Sequence, residues 1–166
     1  MCIRDSARWF TELRAQGGPD VALVLIGPVV DRPPPHPDVI VAGPVPDAVK
    51  WGLVAGCTVL VNPSAHESFS LVVMEAWAAG RPVLVNGWCE VTVDHARTSG
   101  GGLWYDGYAV FEAAVARLLG DRDLAAGLGA AGRRYVAERY DWPAVVGRYE
   151  RFARRVAGEV VGDRGA

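Results

Sequence analysis

Two glutamates eight residues apart are the side chains of this sequence best suited to binding chemistry. Glu67 lies in a short polar stretch, and Glu75 lies inside an otherwise apolar run from Leu71 to Ala79. So apolar a run predicts a helix that is buried on most of its circumference. An ionised carboxylate buried there needs a partner, because an unpaired buried charge is strongly destabilising. The two adjacent hydroxyls of a nucleotide ribose are such a partner, since both can donate to one carboxylate.

The polar stretch before the apolar run predicts the start of this helix. It reads Pro-Ser-Ala-His-Glu-Ser-Phe-Ser from position 63, which is short and typical of a turn. Ser68 or Ser70 is expected to cap the helix with its side chain. The first backbone amides of the helix then remain free to face an anion such as a diphosphate.

This segment resembles the donor-binding motif of retaining GT-B glycosyltransferases, the family called family 4 or glycosyl transferases group 1. The family motif is Pro-Ser, then Glu-x-Phe-Gly, then a second Glu eight positions after the first. The matching residues here are Pro63-Ser64, Glu67-Ser68-Phe69-Ser70 and Glu75-Ala-Trp-Ala-Ala-Gly-Arg-Pro-Val83. The resemblance extends from about Val21 to about Phe152. Ser70 stands where the family usually has Gly, so its Cβ limits how closely a phosphate can approach the backbone.

The resemblance implies a role for each matching position. Glu67 is the expected catalytic-site residue, because it would bind hydroxyls of the donor sugar and hold the sugar for front-face transfer. Glu75 would accept hydrogen bonds from the ribose hydroxyls, and the backbone of Val45 would contact the nucleobase. The remaining predicted donor-binding residues surround the helix start: Phe69, Ser70, Leu71 and Val72.

The resemblance also implies what the protein binds. The expected donor is a nucleotide-diphosphate sugar, which is a substrate, and no cofactor or metal is expected. The expected partner is an N-terminal acceptor domain of the same chain that this sequence lacks. A basic pair that neutralises the diphosphate in the family would lie before position 7. Because leaving-group stabilisation in such transfers is electrostatic, the chain alone is expected to be inactive.

Composition excludes several other classes of function. The chain has 166 residues, with 17 basic and 19 acidic side chains and a formal charge of −2. This balance lacks the excess of positive charge that is typical of nucleic-acid-binding proteins. Three widely spaced cysteines favour a reducing compartment over a disulfide framework. No transmembrane segment or signal peptide is recognised, so a cytoplasmic location is expected, with peripheral contact of the full-length protein with a membrane left open.

Short apolar strands that alternate with helices predict an α/β fold, a Rossmann-like parallel sheet with helices on both faces. The sheet is expected to lack its first, central strand, because the family's strand order resembles 3-2-1-4-5-6 and the match begins after that strand. The predicted strands are Val21–Ile26, Val39–Ala42, Thr58–Val61, Pro82–Val85 and Gly102–Tyr105. Asn86–Gly100 is predicted to be a long polar loop. Three helices are predicted after Tyr108.

The chain is predicted to form one partial donor domain. Residues 1–6 read as a non-native start, residues 7–158 as the nucleotide-sugar binding domain, and residues 159–166 as a frayed tail.

Alternatives remain open at this point for both glutamates and for the function. Glu75 can lie on a solvent-facing stripe, and Glu67 can be a solvated loop residue. The chain can also be a non-catalytic nucleotide-binding or interaction module, since fold alone does not determine function. A GT-B sugar-nucleotide epimerase is a further alternative.

Overall fold

The chain folds into seven helices and five strands within the residues that the structure describes. The structure is a computed structural model that describes residues 3–28 and 31–162, with side chains for residues 5–28 and 31–158. The elements in chain order are α1 (Ile3–Ala15), β1 (Leu23–Ile26), β2 (Val39–Gly43), α2 (Asp47–Gly56), β3 (Leu60–Asn62), α3 (Leu71–Ala78), β4 (Val83–Asn86), α4 (Glu90–Ser99), β5 (Gly102–Tyr105), α5 (Tyr108–Gly120), α6 (Arg122–Arg139) and α7 (Trp142–Gly162).

All strand pairings are parallel, and the strands form two sheets. β1 pairs with β2, while β3, β4 and β5 form a three-stranded sheet in that order. The predicted α/β class with parallel sheets flanked by helices is confirmed. Within the described residues, β1 pairs only with β2, and β3 pairs only with β4. In the strand order 3-2-1-4-5-6, β1 and β3 are the two strands expected to flank the missing central strand.

Helices cover both faces of the three-stranded sheet because β4 is apolar on both sides. Val83 and Val85 face a core that includes residues of α3, α4 and α6. Leu84 points to the opposite face, where it packs against residues of α1 and α5. Every residue of β4 is buried, as expected for a central parallel strand.

The prediction of a loop over Asn86–Gly100 is wrong, because Glu90–Ser99 forms helix α4. Thr92, Val93 and Ala96 are its buried residues, and they make a narrow apolar face in a segment that is otherwise polar. Gly100 ends the helix with a positive φ of 63°, which glycine adopts readily. The polar majority of the segment concealed the spacing of these three positions.

The predicted ends of the domain differ from the helices observed there. Helix α1 begins at Ile3, so it includes part of the segment that was predicted to be a non-native start, and Ser6 in it is buried. Helix α7 continues to Gly162, into the predicted frayed tail. Residues 1–2 and 163–166 lie outside the described residues.

Helices α3 and α6 approach closely because two glycines of α6 face α3 and the turn that follows it. A Cβ added to Gly132 would lie 2.0 Å from Cδ1 of Trp77, and one added to Gly129 would lie 2.1 Å from the carbonyl oxygen of Gly80. Trp77 is completely buried, and its indole nitrogen donates to the carbonyl oxygen of Gly101 at 2.8 Å. This contact fixes the position of α3 on the sheet.

We therefore expect Gly132→Ala to destabilise the fold by about 1–3 kcal/mol, because the methyl group overpacks against the Trp77 ring. Gly127→Ala is the matched control, since Gly127 is exposed in the same helix and has open space around it. That control should be neutral or stabilising by up to about 1 kcal/mol, as Ala favours helix. Chemical denaturation of both variants measures the difference. Equal stability of the two variants would show that α6 does not need the glycine.

Candidate functional site

The candidate site is organised around Asn62, the last residue of β3. Its side chain is 5% exposed, and its Nδ2 group donates to Oγ of Ser70 at 2.7 Å. The same nitrogen lies 3.4 Å from Oε1 of Glu67, and Oδ1 accepts from the backbone N–H of Ser64 at 3.0 Å. One buried amide therefore joins the end of the strand, the polar loop and the start of α3.

Ser70 begins α3 with an unusual backbone conformation. Its φ is 66°, and it is the only non-glycine residue with a positive φ among the described residues. This is the region that glycine adopts without steric cost, which gives a physical reason for glycine being usual at this position. The expectation that a serine side chain caps the helix is wrong. Ser70 is the N-cap residue, but its hydroxyl accepts from Asn62 and bonds no helix amide.

The start of α3 is open to solvent. Leu71 is 70% exposed and Val72 is 37% exposed, so neither predicted donor-binding residue contributes its side chain to the core. The backbone N–H groups of Val73 and Met74 both donate to the carbonyl oxygen of Ser70. Within the described part of the chain, no acceptor is bonded to the N–H of Leu71 or Val72. Such free first-turn amides attract anions.

Glu75 forms an ion pair with Lys50 of α2. The Lys50 Nζ–Glu75 Oε1 distance is 2.8 Å, and the two side chains are 30% and 23% exposed. The hydrogen bond to Glu75 raises the pKa of the Lys50 ammonium group. The carboxylate was predicted to need a partner, and Lys50 is that partner here. No described residue donates to the second oxygen of Glu75, which remains available as an acceptor.

Glu67 lines a cavity of about 480 Å³ beside the polar loop. The other lining residues come from the same loop, from the connection between β4 and α4, and from the first turn of α4. Glu75 and Val45 are not among the residues that line this cavity. Val45 is half-buried and lies just before α2, the helix that carries Lys50. Asn62 contacts Glu67 and Ser70, whereas Glu75 contacts Lys50 of α2.

Phe69 supports the loop from the interior. Its ring packs edge-on against His95 at a centroid distance of 5.4 Å and against Tyr140 at 5.0 Å. Tyr135 completes this cluster, with its hydroxyl 2.9 Å from Nδ1 of His95. Burial lowers the pKa of His95 and raises that of Tyr135 to about 12. Both groups are therefore uncharged at neutral pH, so the cluster is a suitable apolar support for the motif phenylalanine.

Three residues of the site were not predicted from the sequence: Asn62, Asn86 and Lys50. Asn62 and Asn86 share a recognisable signal, because each is a polar residue that ends a short apolar strand with the sequence Leu-Val-Asn. Lys50 has no such signal, since it is 25 residues before Glu75 and reaches it only through the packing of α2 on α3.

Residues 5–121 match the family model described as glycosyl transferases group 1. The chain belongs to this family. It is 40% identical over 92 residues to a GDP-mannose-dependent alpha-(1-6)-phosphatidylinositol monomannoside mannosyltransferase of Mycobacterium tuberculosis, a match that covers 53% of this chain and 23% of that protein. It is 35% identical over 127 residues to D-inositol 3-phosphate glycosyltransferase of Thermobispora bispora, covering 74% of this chain and 27% of that protein.

Solved structures of glycosyltransferases with the GT-B architecture share the fold. Sucrose-phosphate synthase of Thermosynechococcus elongatus superimposes with a TM-score of 0.74 at 22% identity, over 94% of this chain and 43% of that chain. Anabaena Alr3699/HepE, solved in complex with UDP and glucose, gives 0.73 at 17% identity, over 95% and 46%. The chain spans about a quarter of the length of each of these two curated relatives.

No helix among the described residues is long and apolar enough to span a membrane. The described residues also include no group of three or more His, Cys, Asp and Glu residues arranged to hold a metal ion.

The backbone of Ser70 gives a stability test of the site. Ser70→Ala and Ser70→Gly both remove the hydroxyl that accepts from Asn62, which costs roughly 1–3 kcal/mol. Only the glycine variant also relieves the positive φ, so it should be the more stable of the two by about 1 kcal/mol. Urea denaturation of both variants gives this difference.

Ser68 is the control position, because it is exposed and its φ is not positive. There the alanine variant should be at least as stable as the glycine variant. An alanine variant at position 70 that equals or exceeds the glycine variant would contradict the account of this helix start.

Proposed function

We propose that this chain is the donor-binding half of a retaining glycosyltransferase that moves a sugar from a nucleotide-diphosphate donor to an acceptor. The observation that carries the proposal is the arrangement around the Asn62–Ser70 hydrogen bond. Three features belong to this segment: the free carboxylate oxygen of Glu75, the open N-terminus of α3 and the cavity that Glu67 lines. These three features match the three parts of a nucleotide sugar.

The ribose is assigned to Glu75. Lys50 donates to Oε1, so Oε2 can accept from the ribose hydroxyls. Lys50 is thus a positioning residue for this contact. Val45, just before the same helix, is assigned to the nucleobase through its backbone.

The diphosphate is assigned to the free amides of Leu71 and Val72. The helix N-terminus carries a partial positive charge that favours an anion there. Glu67 is assigned to the hydroxyls of the donor sugar on the cavity side.

The relatives narrow the choice of donor for a first test. Two of the curated relatives have names that specify GDP-mannose, and a structural neighbour was solved with UDP. GDP is therefore the first nucleotide to test, followed by UDP and ADP.

Isothermal titration of GDP, UDP and ADP into the 166-residue chain tests the proposal. At least one nucleoside diphosphate should bind, and Glu75→Ala should weaken it by about 1–3 kcal/mol, or roughly 5- to 150-fold, through loss of charge-assisted hydrogen bonds. The same variant should have little effect on a 2′,3′-dideoxy analogue, because that analogue has no ribose hydroxyls to donate.

Glu138→Ala is the matched control, since it removes an exposed carboxylate from α6. It should leave both affinities unchanged. Equal loss of affinity for the ribose and dideoxy nucleotides in Glu75→Ala would remove Glu75 from the ribose. Absence of binding by any of the three nucleotides would refute the donor-site proposal.

A further inference from the structure

The cavity beside Glu67 is formed by two loops that follow adjacent strands. One loop joins β3 to α3, and the other joins β4 to α4, so both lie at the carboxyl edge of the same parallel sheet. This is the edge where ligands bind in open α/β folds. The volume of about 480 Å³ is within the range of small-molecule sites, about 300–1,000 Å³. The second loop was predicted only as part of a long polar stretch, and it has no role in the donor site described above.

Asn86 joins the two loops by hydrogen bonds. Its side chain is completely buried, its Nδ2 group donates to the carbonyl oxygen of Pro63 at 2.9 Å, and its Oδ1 accepts from the backbone N–H of Trp88 at 3.0 Å. Both halves of one buried amide are therefore used to fix one loop to the other. The spacing between the cavity walls is set before any ligand arrives.

Trp88 lines the same cavity as Glu67 and presents a large apolar ring. Its side chain is 70% exposed, although it follows a strand in which every residue is buried. The backbone is fixed by Asn86, and the indole nitrogen donates to the carbonyl oxygen of Asp106 at 3.4 Å. The ring is thus held at both ends while most of its surface faces solvent. A large aromatic side chain fixed in this way is suited to contact a ligand at small entropic cost.

The charges that line the cavity favour a neutral ligand with hydroxyl groups. Glu67 and Glu90 line it together with His66. Carboxylates accept hydrogen bonds from hydroxyls and repel phosphate. A pyranose ring has hydroxyl donors at its rim and an apolar face of C–H groups. Those two surfaces match the carboxylates and the indole respectively.

We propose that Trp88 is a specificity-determining residue that packs against the sugar ring of the nucleotide-sugar donor. This inference rests on the proposed function, because it places the donor sugar on the cavity side of α3. It assigns the exposed indole to a hexose ring rather than to another protein surface. In this proposal the nucleotide is bound by Glu75 and Val45, which do not line the cavity, and it does not contact Trp88.

The test compares the affinity for a nucleoside diphosphate with that for its sugar conjugate. GDP, GDP-mannose, UDP and UDP-glucose are titrated into the wild-type chain, Trp88→Ala and Trp88→Phe. In the wild type, at least one sugar conjugate should bind more tightly than its nucleotide. Trp88→Ala should reduce that preference about tenfold or abolish it, and change the affinity for the nucleotide less than twofold. Trp88→Phe should retain part of the preference, because it keeps an aromatic face.

Trp142→Ala is the matched control, since Trp142 is 77% exposed on α7, away from the cavity lining. It should change neither affinity, and thermal unfolding should give similar midpoints for all variants. A full sugar preference in Trp88→Ala overturns the proposal, as does an equal loss for nucleotide and conjugate. Wild-type binding of the nucleotides with no gain from the sugar overturns it while leaving the donor-nucleotide site intact. Failure of the wild type to bind any of the four ligands refutes the proposed function itself.

Discussion

The hydrogen bond from the buried amide of Asn62 to the hydroxyl of Ser70 is the contact on which the rest of the site depends. A buried amide without a partner is destabilising, so the strand end, the polar loop and the helix start must meet with this bond formed. The bond also accompanies the positive φ of Ser70, which sets the direction in which α3 leaves the sheet. The free amides of α3, the carboxylate of Glu75 and the cavity beside Glu67 all take their positions from that direction.

A second buried asparagine has a similar role at the end of the neighbouring strand. Asn86 ends β4 as Asn62 ends β3. Asn62 uses its donor and its acceptor on the segment that follows it, whereas Asn86 accepts from its own following loop and donates to the loop after β3. Paired strands place these residues at one edge, so two neighbouring loops are each fixed from below. A site built this way needs little rearrangement when a ligand binds, which reduces the entropic cost of binding.

The charged groups divide the proposed site into two chemical halves. On the α2 side, Lys50 offsets the charge of Glu75, so a nucleotide meets a paired carboxylate and a partly positive helix end. On the cavity side, Glu67 and Glu90 make the surroundings acidic, which suits hydroxyl groups and excludes phosphate. The arrangement would orient a nucleotide sugar in one direction only.

Local patterns in the sequence predicted most of the architecture, and long-range contacts explain most of what they missed. The apolar strand at Val83–Asn86 and the helix around Glu75 were predictable, because elements that are buried on most sides are continuous apolar runs. The eight-residue spacing of Glu67 and Glu75 could likewise be recognised in the sequence. The Lys50–Glu75 pair could not, since it depends on how two helices pack, and α4 was missed because only three of its residues are buried.

The central claim is that the start of α3 receives the diphosphate of a nucleotide. The most direct measurement is an NMR titration of the isotope-labelled chain with GDP, UDP and ADP, following the backbone amides and the Asn62 side-chain amide. The account predicts that one of these nucleotides shifts the amide signals of Leu71 and Val72 most strongly, with a smaller shift at Val45 and none at Gly127 on the exposed side of α6. Saturable shifts confined to other parts of the chain, with Leu71 and Val72 unmoved, would contradict it.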